Sequence, residues 1–259
     1  MVCVPHARIA STCFMAAVFS AESNIRPVRG LGRKCEKMAG FAEIKLGICT
    51  DTHGEYLPRW DGRRLDAVLH GGDVYDAPAL AHGYGYLSPR AWAASQGVPV
   101  LAVRGNHDYR DMDGFFSKVD DISGAVRRLS KGLLVAGVGL APEWYCDAPG
   151  EGDLGPQCCR VARMALRQAT RREHIILLTH YPPRLPELAC GGLPVNGTYE
   201  CVADMVGKLR PTAVVFGHLH DWFGRHWRQP NGTLVVNPGP AGGVLTIGSS
   251  GVALFQAEL

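Results

Sequence analysis

The chain has no CysXXCys pair, no apolar run long enough for a bilayer, no internal repeat and no low-complexity tract. Its nine cysteines are odd in number. Cys158 and Cys159 are adjacent, a poor arrangement for one simple bridge, and Cys49 lies in an apolar run as a small hydrophobe would. A disulfide framework is therefore not expected, and a reducing, cytoplasmic setting is. The longest N-terminal apolar candidate, residues 10–18, is broken by Ser11 and Thr12 and falls well short of the ~20 residues a span needs. A basic surplus is also missing where it would matter. Residues 1–37 hold six Lys/Arg against two Glu, whereas the rest holds 21 basic and 22 acidic groups. The body has no excess charge to grip a nucleic-acid backbone, so a nucleic-acid partner is not expected.

What is present is apolar material: 46% of the 259 residues are hydrophobic, enough for one sizeable core. Residues 1–40 read as an N-terminal extension and 41–259 as a single domain. The extension bears arginines and few acids, as organellar presequences do. Its sites near Ser20 and Ala21 fit the small-residue cleavage rule poorly. Met38, just before the first strand, would be a natural start. A dispensable or mis-called extension, a presequence and a signal segment all stay open, and either of the last two would make the protein organellar or exported.

From residue 44 onward, strands and helices alternate. Strands are expected over 44–50, 65–70 and 98–103, with a short helix at 89–95. Continuous apolar runs of this kind suit strands buried on both faces. Residues 125–129 and 133–140 read as a hairpin, 141–156 as a loop rich in Pro, Gly and acids, and 157–172 as a helix. Strand 175–179, loop 181–196, helix 199–209 and strand 213–216 follow. Residues 222–255 read as a β-meander, with AsnGly at 231–232 as a hairpin turn. This order suggests a two-sheet α/β sandwich.

Five segments at expected strand ends carry most of the metal-capable side chains: Asp51-Thr52-His53, Gly72-Asp73, Asn106-His107-Asp108, His180, and His218-Leu219-His220. Aspartate, asparagine and histidine suit Mn, Fe, Zn or Co. Seven ligands from five loops are too many for one ion and fit two. Asp51 and His53 are two apart, so strand alternation should point both the same way, and His218 and His220 repeat the arrangement. Asp73 follows two glycines, which permit a sharp turn, and its two oxygens can bridge two cations. Loops after the carboxyl ends of strands are where open α/β sheets collect ligands. Two ions about 3.5–4 Å apart would lower the pKa of a bridging water and clamp a phosphoryl group for in-line attack. A carboxylate such as Asp108 can hold a neighbouring imidazole protonated, which would suit His107 as a general acid.

Together the five motifs resemble the calcineurin-like metallophosphoesterase family, whose pattern runs D-x-H, G-D, G-N-H-[DE], H and G-H-x-H. The likeness extends from about Ile44 to the end, and AsnProGly at 237–239 resembles the motif closing the family's last active-site strand. The compact form is most similar to the small bacterial-type phosphoesterases. The resemblance implies a four-layer α/β/β/α sandwich of two mixed β-sheets around two divalent ions, with Mn favoured and Fe, Zn, Co or Ni possible. It gives Asp51, His53, Asp73 and His220 to one ion and Asp73, Asn106, His180 and His218 to the other. His107 would protonate the leaving group, oriented by Asp108, with Asp76 in support. The Ser/Thr protein phosphatases carry GlyAspXXAspArgGly, but here AspAlaPro follows and that arginine is missing. A small or medium phosphodiester, hydrolysed by a metal-bridging hydroxide, is the expected substrate. A phosphomonoesterase or nuclease on the same site, or a non-catalytic scaffold, are the alternatives.

Other residues divide between substrate contact and plain structure. His82, Tyr181 and Arg184 are candidate substrate contacts. Trp222, Arg225, Trp144 and Tyr145 are weaker ones. His70 reads as a core or supporting histidine, and His174 and His226 as surface residues. The sequons at Asn196 and Asn231 read as turns.

Overall fold

The computed structural model describes residues 42–54, 57–60, 62–75, 88–108, 114–130, 132–140, 151–171, 173–186, 197–248 and 253–257. His82, Asp76, Trp144 and Tyr145 lie outside them, as does the N-terminal extension.

Two six-stranded sheets form the frame. In the first, β1 (Ile44–Cys49), β2 (Ala67–His70), β3 (Val100–Ala102) and β4 (Asp120–Asp121) run parallel. The second is built on β5 (Val126–Ser130), β6 (Leu133–Val138), β7 (His174–Thr179) and β8 (Ala213–Val215). There β5 pairs antiparallel with β6, and β6, β7 and β8 are parallel. Among the described residues three α-helices complete the layers: α1 (Pro89–Ser95), α2 (Glu151–Gln168) and α3 (Glu200–Leu209). The start of α1 is written locally. Ser88 Oγ accepts from the Ala91 N–H, and Pro89 takes the first helical position, where a missing N–H costs nothing.

Period-two alternation sorts the strands into layers. Leu133, Val135, Ile176 and Leu178 face the first sheet's Leu46, Ile48, Leu69 and Leu101, making an aliphatic seam between the sheets. Their sequence neighbours Leu134, Ala136, Ile175 and Leu177 face the other way, onto α2 and α3. On the far side Trp92 and Ala93 of α1 cover Val68, Val100 and Ala102. The result is the α/β/β/α sandwich expected from the sequence.

Two local expectations are corrected. Helix α2 begins at Glu151, inside the segment expected to be a loop. Pro156 falls within its second turn, where it removes one backbone donor without stopping the helix, and Asp153 suits the positive end of the helix dipole. The tail is not one meander. β9 (Arg225–Arg228) and β10 (Leu234–Asn237) form a hairpin on the second sheet, with β10 parallel to β8. β11 (Gly243–Ile247) and β12 (Ala253–Ala257) form another on the first, with β11 antiparallel to β1. In the intervening Pro-Gly-Pro-Ala-Gly segment the two prolines lack an N–H for a sheet ladder, the Gly239 and Gly242 N–H groups bond locally, and both glycines take positive φ, so the chain leaves one sheet there and enters the other.

Among the described residues Cys49, Cys158, Cys159 and Cys201 are free thiols. Burial pushes the Cys49 thiol far above its usual range, as expected for a small core hydrophobe.

Candidate metal centre

Loops after β1, β2 and β3 from one sheet, and after β7 and β8 from the other, meet at one edge of the sandwich. Asp51 Oδ1 lies 3.4 Å from His220 Nε2, and His53 Nε2 lies 3.4 Å from the same nitrogen. Asp73 Oδ2 is 3.4 Å from His180 Nε2. Asn106 Oδ1 is 3.1 Å from His180 Nε2 and 3.0 Å from His218 Nδ1. All seven expected ligands therefore meet. Two triads have ligand atoms mutually within 4.8 Å, Asp51–His53–His220 and Asp51–Asp73–His180, the latter wholly buried.

The reason these side chains converge differs from the one read in the sequence. Asp51 and His53 do not sit on an extended strand, which ends at Cys49. Asp51 (φ 53°), His53 (φ 48°), Asp73 (φ 53°) and His218 (φ 69°) are all in the left-handed region. Among the described residues Arg210, at the end of α3, is the one other non-glycine residue with positive φ. Such conformations cost of order 1–3 kcal/mol each and persist where the surroundings over-determine them. His220 opens a one-turn 3-10 helix, His220–Trp222, so His218 and His220 are not a strand pair either.

Hydrogen bonds fix the cluster. The Thr50 hydroxyl donates to Asp51 Oδ2 at 2.7 Å, and the His218 N–H donates to both Asp51 oxygens. The His107 N–H donates to Asp73 Oδ1 at 2.9 Å. His180 Nδ1 faces the Gly71 carbonyl at 3.0 Å, which turns Nε2 toward Asp73 and Asn106. A ring held this way by a backbone carbonyl is the usual support of a metal-ligating histidine. Asn237, in the AsnProGly segment, donates from Nδ2 to the Leu219 carbonyl and steadies the loop between His218 and His220.

Electrostatics follow from burial and proximity. Burial pushes the Asp73 carboxyl up, but the facing His180 ring and the His107 N–H outweigh it, so the group lies well below the usual carboxylate range. Burial alone would lower His180, and the carboxylates of Asp73 and Asp51 carry it up instead. His218 is lowered to about 4, by burial first and then by the charge of His180. Two buried carboxylates, an amide oxygen and four imidazoles make a donor set whose chemistry fits divalent cations.

His107 stands at the rim, its side chain 36% exposed and its Nε2 4.0 Å from Asp73 Oδ2. Asp108 does not have the orienting task expected of it. Its carboxylate is buried and accepts the N–H groups of Val74, Tyr75 and Gly105, at 2.9, 3.2 and 2.9 Å. It ties the β3 loop to the β2 loop because backbone donors surround it there. Burial and the Asp73 charge push its carboxyl up to about 7. Tyr181 is likewise corrected. Its ring is fully buried, 5.1 Å from the His180 ring and 5.7 Å from that of His218, so it packs behind these two histidines and not on an open surface. Arg184 is half exposed, with Nη2 bonded to the Thr198 carbonyl and Nη1 3.8 Å from Glu200 Oε2. Trp222 is buried beneath Arg225, and His226 is exposed on β9.

Sequence reasoning missed Thr50 as a brace of Asp51, since a threonine ending an apolar strand carries no signal of its own. It also missed Arg104, whose Nε donates to Asp121 Oδ2 at 2.7 Å while Nη1 holds the Asp108 carbonyl.

Two glycines are required by close approach. A Cβ on Gly105 would overlap the Asp73 carboxylate, and one on Gly217 would overlap Thr50 Oγ1 and Asp51 Oδ2. We predict that Gly105→Ala destabilises the fold by about 1–3 kcal/mol, as other overpacked sites do, and displaces Asp73. Urea unfolding together with divalent-ion titration checks this; unchanged stability and binding would refute it.

His70, buried beneath the cluster, gives a pH prediction. Burial lowers it to about 4 against the opposing pull of Asp51 and Asp73. At this residue the folded state thus binds fewer protons than the unfolded chain between about pH 6.5 and 4, so the stability that the neutral His70 contributes is intact above 6.5 and is lost as pH falls. At one pKa unit per 1.36 kcal/mol the loss is at most about 3 kcal/mol. Urea unfolding of metal-free wild type and His70→Asn at pH 7.5 and 4.5 isolates this share: on going to pH 4.5 the wild type should lose more stability than the variant, and equal changes would refute it.

Comparison with known proteins bears on the fold and the family. A family profile described as "Calcineurin-like phosphoesterase superfamily domain" matches residues 44–258. No curated protein matches the chain. Among solved structures, phosphopantetheinyl hydrolase from Mycobacterium tuberculosis is similar at a TM-score of 0.51 and 15% identity, covering 76% of this chain and 89% of its own. Another solved chain, also at 0.51 and 15%, covers 83% of this chain and 99% of its own. At such identity these two likenesses speak to fold alone.

Proposed function

Because this chain belongs to the calcineurin-like phosphoesterase superfamily, we propose that it is a two-metal phosphoester hydrolase that favours small phosphodiesters. The observation that carries the reading is the meeting of two ligand groups around buried carboxylates, with the His107 imidazole open at the rim. Asp51, His53, Asp73 and His220 would hold one divalent ion, and Asp73, Asn106, His180 and His218 the other, with Mn the first metal to try. Bound there, the pair supplies an activated water and a clamp for the phosphoryl oxygens.

The chain's own groups do the rest. Asp73 supplies charge to both positions. Thr50 and the His218 N–H hold the Asp51 oxygens in place. His107 gives its proton to the departing oxygen from the solvent side of the cluster. The Gly71 carbonyl keeps the His180 Nε2 lone pair facing inward. Preference for a diester rests on charge. A diester carries about one negative charge and a monoester about two near neutral pH, and the arginine that protein phosphatases place after GlyAsp is absent here.

The test is hydrolysis of bis(p-nitrophenyl) phosphate against p-nitrophenyl phosphate, by metal-stripped protein with and without Mn²⁺. Turnover of the diester that depends on Mn²⁺ and exceeds that of the monoester is the expected result. A monoester preference would move the assignment to phosphatase. Two bound ions without turnover of either ester would favour a scaffold, and failure to bind any divalent ion would end the reading.

A further inference from the structure

His70 is fully buried at the end of β2, yet both of its ring nitrogens are engaged by the ligand loops. The Gly72 N–H donates to Nδ1 at 3.2 Å. That makes Nδ1 the acceptor, so the ring proton sits on Nε2 and points at Thr52 Oγ1, 3.0 Å away. The two partners are specific. Thr52 is the residue between Asp51 and His53, and Gly72 immediately precedes Asp73. Three of these neighbours, Asp51, His53 and Asp73, hold left-handed backbone, and Gly72 itself has a φ of 95°. The ring is kept from rotating by Trp92 and Phe115, with centroids 6.1 and 5.9 Å away in edge-on contacts.

We infer that His70 is a positioning residue: a neutral imidazole that spans the β1 and β2 loops and holds three strained ligand residues in their binding geometry. The inference rests on the metal reading of the site but concerns the metal-free chain as well. Strained backbone relaxes when its constraints go. Without the imidazole, Thr52 and Gly72 each lose a buried partner, and the segments 51–53 and 72–73 lose the link that sets them at a fixed spacing. The aliphatic neighbours of β1 and β2 cannot replace it, because apolar contacts do not specify direction.

The experiment compares wild type with His70→Phe, which keeps ring volume and removes both hydrogen bonds. Thr52→Val removes the Thr52 hydroxyl at nearly constant volume. Amide hydrogen exchange on metal-free proteins reads the loops directly, and Mn²⁺ titration reads the site. Expected are faster exchange at 51–53 and 72–73 with the rest of β1 and β2 protected, and Mn²⁺ affinity lowered about 10- to 100-fold. His70→Asn, whose side-chain oxygen can accept from Gly72, should recover part of the affinity. If His70→Phe does not fold, Thr52→Val decides by the same readouts.

Unchanged exchange in the loops would overturn the inference whether or not metal binds. So would unchanged affinity in variants that fold, or a uniform loss of protection across the sheet, which would mark a merely structural residue. A wild type that binds no Mn²⁺ but shows local loosening in His70→Phe would sink the metal reading and leave the brace standing.

Discussion

Replacing Asp73 by asparagine is expected to reduce hydrolysis by at least about 10³-fold and to leave no more than one tightly held divalent ion. Asp73 is 2% exposed, and its two oxygens face different partners. Oδ2 lies 3.4 Å from His180 Nε2, while Oδ1 accepts the His107 N–H. Asparagine preserves the shape and can keep the bond from His107 through its own oxygen. What it removes is the negative charge that the pocket holds in the ionised form. Two cations about 3.5–4 Å apart repel strongly, and a neutral amide between them cannot offset this. Metal content after gel filtration, with kcat on the preferred ester, checks the expectation. Two retained ions with near-normal turnover would show that Asp73 is not shared. The metal-free variant should melt below wild type, because the buried His180 ring loses its facing carboxylate, so metal content is compared at a temperature where circular dichroism shows both proteins folded.

His107→Ala is expected to show a loss that depends on the leaving group. For an alkyl diester, whose departing oxygen needs a proton, kcat should fall about 10²–10⁴-fold. For a p-nitrophenyl ester, whose departing oxygen is stable as an anion, the fall should be much smaller. The geometry underlies this contrast. The ring is partly open to solvent, 4.0 Å from the Asp73 carboxylate and 5.1 Å from the His53 ring, so truncating it leaves the seven ligands in place. Metal content should therefore be unchanged. Equal losses on both esters would instead assign His107 to substrate binding or to shaping the site. The backbone N–H of residue 107 is retained in the variant, so its bond to Asp73 does not confound the comparison.

Much of the fold was legible because its layers depend on period-two alternation and on runs of Val, Ile and Leu that suit only buried strands. The clustering residues were legible because Asp, Asn and His just after strand ends are conspicuous against such runs. Two things were not. The sequence shows which residues end a strand but not that Asp51, His53, Asp73 and His218 adopt left-handed backbone, since that conformation is set by contacts between separate loops, such as the Asp51 N–H on the Gly72 carbonyl, the His53 N–H on the Asp73 carbonyl and the His218 N–H on the Asp51 carboxylate. Nor does spacing reveal where a buried carboxylate finds donors. Asp108 stands next to His107 in the chain, yet the N–H groups of Val74, Tyr75 and Gly105 surround it in space. Tyr181 misled for the same reason. It follows a ligand, but its side chain points into the interior against Tyr199. The start of α2 was hidden by composition, because glycine and proline in the first two turns look the same as in a loop.

The aliphatic seam between the two sheets has a mechanical consequence. Leu, Ile and Val side chains resist separation of the sheets but, being interchangeable and non-directional, offer little resistance to sliding one sheet over the other. The polar cluster supplies what they lack, because Asp51, Asp73 and Asn106 come from one sheet while His180, His218 and His220 come from the other. Its bonds across the seam act as a registration pin at one edge of the sandwich. Shear between the sheets would be felt first there, at the chemistry, before any loss of the core.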